Sequence, residues 1–369
     1  MTALAPLSTP AASITLRESA QLFVGEPAGV LVTNGFVYVA DSKSASVLQF
    51  TREGGLVRRI GRRGGGPGEL QAPTAIAAMG NTAIAVADAA NAQVVVFATD
   101  SGRHLLTRRM AGAPFSLSMA GDTLLAGSYD AMQAHTMYRT RLGDSTGRSI
   151  GPVSADYATS RRLKYAYPFS VAAFAPGGAV TGLVGSRLLY RTDANGKAVD
   201  SVLTESRVRR GVPPDIEDQL GKPRAEGAEM LLVSILLALA AEGDRTALVH
   251  MDFTPQGPSV GGRAFLSVVD WSNRRQCVDA EIPIGRESRP VFSFRGDTLV
   301  VAQQLLADSP REATGGAPRA SGDTGAAAGA AAGAAAGEIA STAQAAAGPG
   351  GSARMVVQMF VVPACNAAK

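Results

Sequence analysis

Cysteine is nearly missing from this chain: Cys277 and Cys365 are the only two in 369 residues. That excludes a disulfide-framework scaffold and a cysteine-rich zinc site, and leaves one bridge to form. Histidine is almost as scarce, with His104, His135 and His250. A metal centre built from converging imidazoles has little material to draw on. Aromatic residues make up 5% of the chain, so Val, Leu, Ile and Ala must fill the interior. Long apolar runs are missing too. The longest, residues 230–241 (MLLVSILLALAA), falls short of the ~20 residues that a membrane-spanning helix needs. It reads as a buried strand or a short core helix. The opening MTALAPLSTPAASITL has neither a basic start nor a long apolar stretch, so no signal peptide is visible as written. Three G-x-S-x-G strings occur, at 143–147 (GDSTG), 147–151 (GRSIG) and 257–261 (GPSVG), but none stands between an expected strand and a helix as a nucleophile elbow must, and no HExxH helix or EF-hand loop occurs.

What the chain does contain is a repeat. Residues 29–61 read GVLVTNGFVYVADSKSASVLQFTREGGLVRRIG, and residues 75–110 read AIAAMGNTAIAVADAANAQVVVFATDSGRHLLTRRM. Val39, Ala40 and Asp41 return as Val86, Ala87 and Asp88, and Phe50 returns as Phe97. Each copy divides into four short β-rich runs, split by turn residues such as Asn34-Gly35 and Gly80-Asn81. A period of about 47 residues with four strands is the mark of a propeller blade. Hydrophobic residues reach 46% and charged residues 18%, enough apolar material for a large interior. The net charge of +4 is too mild to mark a nucleic-acid binder by itself.

The rhythm continues to the C-terminus. Strands are expected at 115–119, 123–128, 136–142 and 148–151, then at 170–174, 179–184, 187–191 and 198–203. A fifth blade is expected from 236–240, 247–252, 264–271 and 277–284. Residues 291–294, 299–303 and 355–362 give three strands of a sixth. That blade lacks an outer strand, while residues 14–24 have no blade of their own. The N-terminal segment is therefore expected to complete it, which closes the ring and covers the open sheet edges. The fold class is all-β: a six-bladed propeller of four-stranded antiparallel blades, closed by the N-terminal strand. Ile14, Leu16, Leu22 and Phe23 should bury against residues 355–362.

The whole chain, 1–369, reads as a single domain. Residues 206–229 are rich in proline and charge and read as a surface loop, with one helical turn around 216–220. Residues 309–354, centred on GAAAGAAAGAAAG, have few side chains to bury and read as a disordered insertion in the last blade.

Residues 67–97 (PGELQAPTAIAAMGNTAIAVADAANAQVVVF) carry a family resemblance. They resemble the NHL repeat, whose pattern is a G-x-G-P-G lead, a P-x-G-I-A strand, a V-A-D-x-x-N-x-R turn and a closing V-x-x-F. Gly64, Gly66, Pro67 and Gly68 match the lead, and Pro73, Ile76 and Ala77 the first strand. Val86, Ala87, Asp88, Asn91, Val94 and Phe97 match the remainder. The usual Arg is Gln93 here and Ser46 in the first repeat, where Ser44 also replaces the Asn. Beyond Pro114 only the rhythm matches. The resemblance implies a six-bladed propeller of a kind common in bacterial extracytoplasmic proteins. It implies no activity, because such propellers serve as lyases, lactonases, sensors and binding platforms alike.

The candidate site residues have structural alternatives. Asp41 and Asp88 end equivalent strands and read as turn carboxylates that take backbone N–H groups. Residues 64–68 (GGGPG) lack the Lys-Ser/Thr of a phosphate loop and read as an inter-blade crossover. Of the histidines, only His250, near Asp252, falls on an inner strand. Arg58, Arg59, Arg62, Arg63, Arg108 and Arg109 cluster on outer strands and crossovers of the first two blades, a possible binding face. Arg161, Arg162 and Lys164, and Arg207, Arg209 and Arg210, add to the basic set. The alternative is solvated outer-strand charge, and no aromatics interleave with these arginines as single-strand RNA binding would need. Cys277 should open the outer strand of blade five and Cys365 should follow the third strand of blade six. Turns joining third to fourth strands share one face, so the two thiols can meet as a disulfide; two buried free thiols are the alternative.

The functional expectation is a non-catalytic binding or scaffold propeller of the bacterial cell envelope, acting on a protein or polysaccharide ligand. The alternative is a propeller enzyme of lyase or lactonase type with an axial metal. No cofactor is assigned, nucleic acid is disfavoured, and a monomer in an extracytoplasmic compartment is expected.

Overall fold

A computed structural model describes residues 1–19, 22–130, 135–144, 146–152, 169–209, 234–256, 259–285, 288–306 and 353–365. Among these, every regular element is a strand. Strands β1 (Thr2–Ala3) and β2 (Ala12–Thr15) precede the first blade. Blade one is β3 (Pro27–Val32), β4 (Phe36–Asp41), β5 (Ser46–Thr51) and β6 (Leu56–Ile60). A crossover with the short pair β7 (Arg62–Arg63) and β8 (Glu69–Leu70) leads to blade two: β9 (Pro73–Met79), β10 (Ala83–Asp88), β11 (Gln93–Ala98) and β12 (His104–Arg109). Blade three is β13 (Pro114–Ala120), β14 (Thr123–Asp130), β15 (His135–Arg141) and β16 (Arg148–Ile150). Blade four is β17 (Ser170–Ala175), β18 (Gly178–Leu183), β19 (Leu188–Asp193) and β20 (Ala198–Leu203). Blade five is β21 (Ile235–Glu242), β22 (Arg245–Gln256), β23 (Ser259–Asp270) and β24 (Arg275–Ile282). Blade six has β25 (Val291–Arg295), β26 (Thr298–Leu306) and β27 (Ala353–Val361).

The missing outer strand of blade six is β2, antiparallel to β27 with Ile14 opposite Val357. The ring is thus closed by N-terminal chain, as the strand count requires. Ile14 and Leu16 are buried and Leu22 packs against the same cluster. Phe23 departs from expectation: it is 51% exposed. It lies beyond β2, in the connector to blade one, where no facing strand exists to cover it. A second departure is β1, which pairs parallel with β24 through Thr2 and Cys277 and gives blade five a fifth strand.

The inner strands β3, β9, β13, β17, β21 and β25 pack on one another in sequence around the axis. Proline opens β3, β9 and β13, a position where the lost N–H donor matters least. The interior consists of six apolar clusters, one at each seam between blades. Strand β4 shows why the second strands read as unbroken apolar runs. Val37 and Val39 face blade six, while Tyr38 and Ala40 face blade two. Period-two alternation puts both faces in a core, so no polar face is needed. Among the described residues the seam between blades three and four is the thinnest, with Leu125, Met137, Ile150, Ala172 and Ala179 as its buried members.

Candidate functional site

Blade topology divides the surface into two unlike faces. Turns joining first to second and third to fourth strands share one face; second-to-third turns and inter-blade connectors share the other. On the first face the turns are tight. Gly54, Gly80, Gly102, Gly121, Gly177, Gly196, Gly243 and Gly296 adopt positive φ there, the conformation that short hairpins require. On the second face the described strands break off at Ile150, Leu203, Ile282 and Leu306 and resume at Ser170, Ile235, Val291 and Ala353. Long connectors on a rigid scaffold are where binding residues concentrate. The charge-rich residues 210–233, with Arg210 and the helical turn expected at 216–220, fall outside the described residues, as do Arg161, Arg162, Lys164 and residues 309–352.

The tight-turn face holds the ring together with at least one polar tie per seam. Gln49 of blade one donates to the Thr99 carbonyl of blade two. Arg108 reaches the Leu142 carbonyl, and Arg139 the Ala194 carbonyl. Arg191 pairs with Asp244 at 2.9 Å. Arg245 donates to the Pro363 carbonyl, and Arg295 to the Asn34 side chain. Much of the arginine content is therefore spent between blades.

On the connector face the axial mouth is built by the residues that begin the inner strands. These are Pro27, Pro73, Pro114, Ser170, Ile235 and Val291, each with the residue before it. Glu26 is the one carboxylate in that set, and Arg289 holds it at 2.6 Å across the closing seam. Phe115 and Phe169 pack with ring centroids 3.6 Å apart. Beside the mouth, Glu18, Ser19, Phe23, Val24, Lys43 and Gln304 line a cavity of about 430 Å³. Burial pushes the Glu18 carboxyl up, against the pull of the Val24 amide that it accepts.

The turn carboxylates are wholly structural. Asp41 accepts the Glu26 amide at 2.6 Å and the Lys43 and Ser44 amides. Asp88 accepts the Gln71 and Ala72 amides and the Asn91 and Gln93 side chains. In the glycine-rich crossover, Glu69 takes the Gly66 amide at 2.8 Å. A carboxylate of the chain itself thus occupies the place that a phosphate would need.

The histidines do not converge. His104 bonds Thr107 on β12, and His135 sits at the start of β15 near the Gly151 carbonyl. His250 is fully buried on β22, stacked on Phe265, with neither ring nitrogen hydrogen-bonded. Its Nε2 lies 3.9 Å from Asp279, yet burial and the nearby Arg209 push its pKa down to about 3. The ring is neutral at physiological pH, so the contact is no ion pair. Burial and Arg187 pull Arg209 down to about 9. Asp279, at φ 65 in a bulge of β24, takes the Ser206 hydroxyl and the Arg207 amide. Asp252 takes the Ser234 hydroxyl at 2.7 Å. This set clips the blade-four connector onto blade five, with Arg209, His250, Asp252 and Ser234 closed to solvent. Among the described residues no group of three or more His, Cys, Asp or Glu is placed to hold a metal.

The basic candidates scatter. Arg108 serves the seam to blade three, and Arg63 donates to the Lys43 carbonyl. Arg62 pairs with Glu69 at 2.9 Å. Arg58 lies along Gly102, while Arg59 and Arg109 are exposed. Only Arg59 and Arg62 line a common cleft, with His104 and Glu69. The Cys277 and Cys365 sulfurs are bonded, with Cα atoms 5.5 Å apart.

Comparison with known proteins agrees on the architecture. Residues 12–133 match the family DUF5128, described as a 6-bladed beta-propeller. A member of the duf4221 family from Bacteroides vulgatus superposes on 80% of this chain and 91% of its own, with a TM-score of 0.53 and 10% identity. Hydrazine synthase from Kuenenia stuttgartiensis covers 79% of this chain and 78% of its own, with a TM-score of 0.49 and 13% identity. A putative exported protein from Bacteroides fragilis covers 81% and 86%, with a TM-score of 0.48 and 14% identity. Such identities speak for fold alone. No curated protein matches the sequence. The chain is a six-bladed propeller, and no helix among its described residues is long and apolar enough to cross a membrane.

Sequence reasoning missed the Phe115 and Phe169 pair, the Glu26 to Arg289 bridge and the Arg209 cluster. The first two had a readable signal, since all four residues lie within two positions of the start of a first strand.

Proposed function

We propose that this chain is an NHL-like binding or scaffold propeller of the bacterial cell envelope, acting as a monomer on a protein or polysaccharide through its connector face. The observation that carries the reading is the axial mouth. Among the residues that begin the inner strands, Glu26 is the one acid, and it is already neutralised by Arg289. Among the described residues of the mouth, Phe115, Phe169, Ile235 and Val291 are partly exposed and offer contact surface without a general acid–base pair. The bonded Cys277 and Cys365 support an oxidising compartment, where such bridges persist.

The test uses purified full chain titrated calorimetrically with soluble envelope polysaccharide. Phe115→Asp and Phe169→Asp should abolish the heat of binding, while Asn195→Asp on the tight-turn face should leave it unchanged. Loss of binding by the Asn195 variant alone would reverse the assignment of faces. Appearance of cleaved or unsaturated sugar during the titration would replace binding by catalysis.

A further inference from the structure

The closing seam carries an asparagine–glycine step whose reacting groups are both presented. Asn34 and Gly35 lie in the turn between β3 and β4, and both are exposed. The Thr33 amide donates to the Phe36 carbonyl, and the Phe36 amide donates to the Thr33 hydroxyl at 3.1 Å. The Gly35 amide makes no hydrogen bond with the described residues. A Cβ on Gly35 would touch nothing within 4 Å. The backbone nitrogen that follows Asn34 is thus unengaged and unhindered.

A guanidinium addresses the other group. Arg295, at the end of β25 in blade six, donates Nη2 to the Asn34 Oδ1 across the seam. It makes no ion pair with the described residues. Donation from a cation draws electrons from the side-chain carbonyl carbon and steadies the oxyanion that forms when that carbon is attacked. A second cation stands close by. Arg52 donates to the Thr33 carbonyl at 3.4 Å. Burial, and then repulsion from Arg295, pull Arg52 below the ordinary guanidinium value, and Glu53 offsets this only in part. A carboxylate in place of the Asn34 amide would suit both arginines.

The other asparagine–glycine step shows the contrast. Asn195 and Gly196 also lie in a turn, between β19 and β20. There Gly196 is buried, its amide donates to the Asp193 carbonyl at 3.0 Å, and a Cβ on it would meet the Ile150 Cβ at 2.5 Å. Attack by that nitrogen requires the hydrogen bond to break and the turn to leave blade three.

We propose that Asn34 is a self-modification site that converts to a carboxylate facing Arg295. The Gly35 nitrogen gives up its proton and bonds to the Asn34 side-chain carbonyl carbon. The side-chain nitrogen takes a proton and leaves as ammonia. Water then opens the cyclic imide, at one carbonyl to give aspartate and at the other to give isoaspartate. No oxidant or second reactant is needed. The change turns a neutral tie of the closing seam into an ion pair.

The test incubates the full chain at mildly alkaline pH and follows Asn34 and Asn195 by peptide mass spectrometry. Asn34 should convert at least about fivefold faster than Asn195, because the Gly196 amide must first give up a hydrogen bond. Gly35→Ala has room for its methyl group, so it should keep the melting temperature of the parent. It should nonetheless slow the conversion by about tenfold, since the methyl shields the nitrogen. Arg295→Ser should slow it about threefold or more. Asn34→Asp installs the product and should melt above the parent at low salt, with the gain shrinking at physiological salt. Conversion of Asn195 at an equal or greater rate overturns the site, as does an unchanged rate in Gly35→Ala. An unchanged or faster rate in Arg295→Ser overturns the part given to the guanidinium. An Asn34→Asp chain that melts no higher than the parent overturns the ion pair.

Discussion

Asn91 donates its side-chain amide to the Asp88 carboxylate at 2.8 Å, and Asn273 makes the same bond to Asp270 at 2.8 Å. Both pairs close four-residue turns followed by a non-glycine residue at positive φ, Ala92 and Arg274. The surroundings differ. Asp88 is fully buried and also takes Gln71, Ala72 and Gln93. Asp88→Ala strands those donors and should cost about 2–4 kcal/mol in chemical denaturation. Asp270→Ala, at an exposed turn, should cost under about 1 kcal/mol.

His250 makes stability depend on pH. Its folded pKa, about 3, lies below the 6.5 of a free imidazole. The unfolded chain therefore binds a proton between those values that the folded chain refuses. Stability should be full above about pH 6.5, and should fall by up to ~1.4 kcal/mol per pH unit on acidification until the folded pKa is reached. His250→Phe should flatten the profile over that range. A variant with the same acid slope as the parent would assign the loss to other groups.

The N-terminal strands should contribute unequally. Deleting residues 1–9 removes β1 and should lower the melting temperature modestly. Deleting residues 1–16 also removes β2, uncovers the edge of β27 and should produce aggregation visible by light scattering. A long deletion that stays monomeric at an unchanged melting temperature would show that closure does not depend on β2.

Replacing residues 307–352 by a short turn should leave stability within about 1 kcal/mol. Leu306 and Ala353 stand directly opposite in the hairpin, and loop-closure entropy grows slowly with length. Thermal melts of the shortened and full chains measure the difference.

The seam between blades three and four should open first. Among the described residues it has five buried apolar side chains, and it relies on hydroxyl bonds, such as Ser170 donating to the Ser128 carbonyl and Ser116 accepting the Ala172 amide. Hydrogen exchange should show β16 and β17 amides exchanging before those of β10 and β22. Uniform protection around the ring would contradict this.

Much of the fold was legible because turn residues punctuate it and because the second strands of the first two blades are apolar up to their closing Asp41 and Asp88. The closure by β2 followed from counting strands. Strand β1 was not legible: a parallel pairing of Thr2 and Ala3 carries no periodicity to read. Phe23 misled because hydrophobicity alone suggested a strand where the chain is a connector. The Asp270 turn shows a different limit. It repeats the local chemistry of Asp88 on a third-to-fourth hairpin, so such a motif specifies a turn without saying which one. The arginines were visible as a group, but their division between seam ties and a cleft depends on side-chain direction.

Thr2 and Cys365 both converge on Cys277, one by strand register and one by a covalent bond. Tension applied between Thr2 and Cys365 is therefore delivered to a single strand, β24 of blade five. It loads the backbone pairing of β1 on one side and the sulfur bridge to blade six on the other, and bypasses the seams elsewhere in the ring.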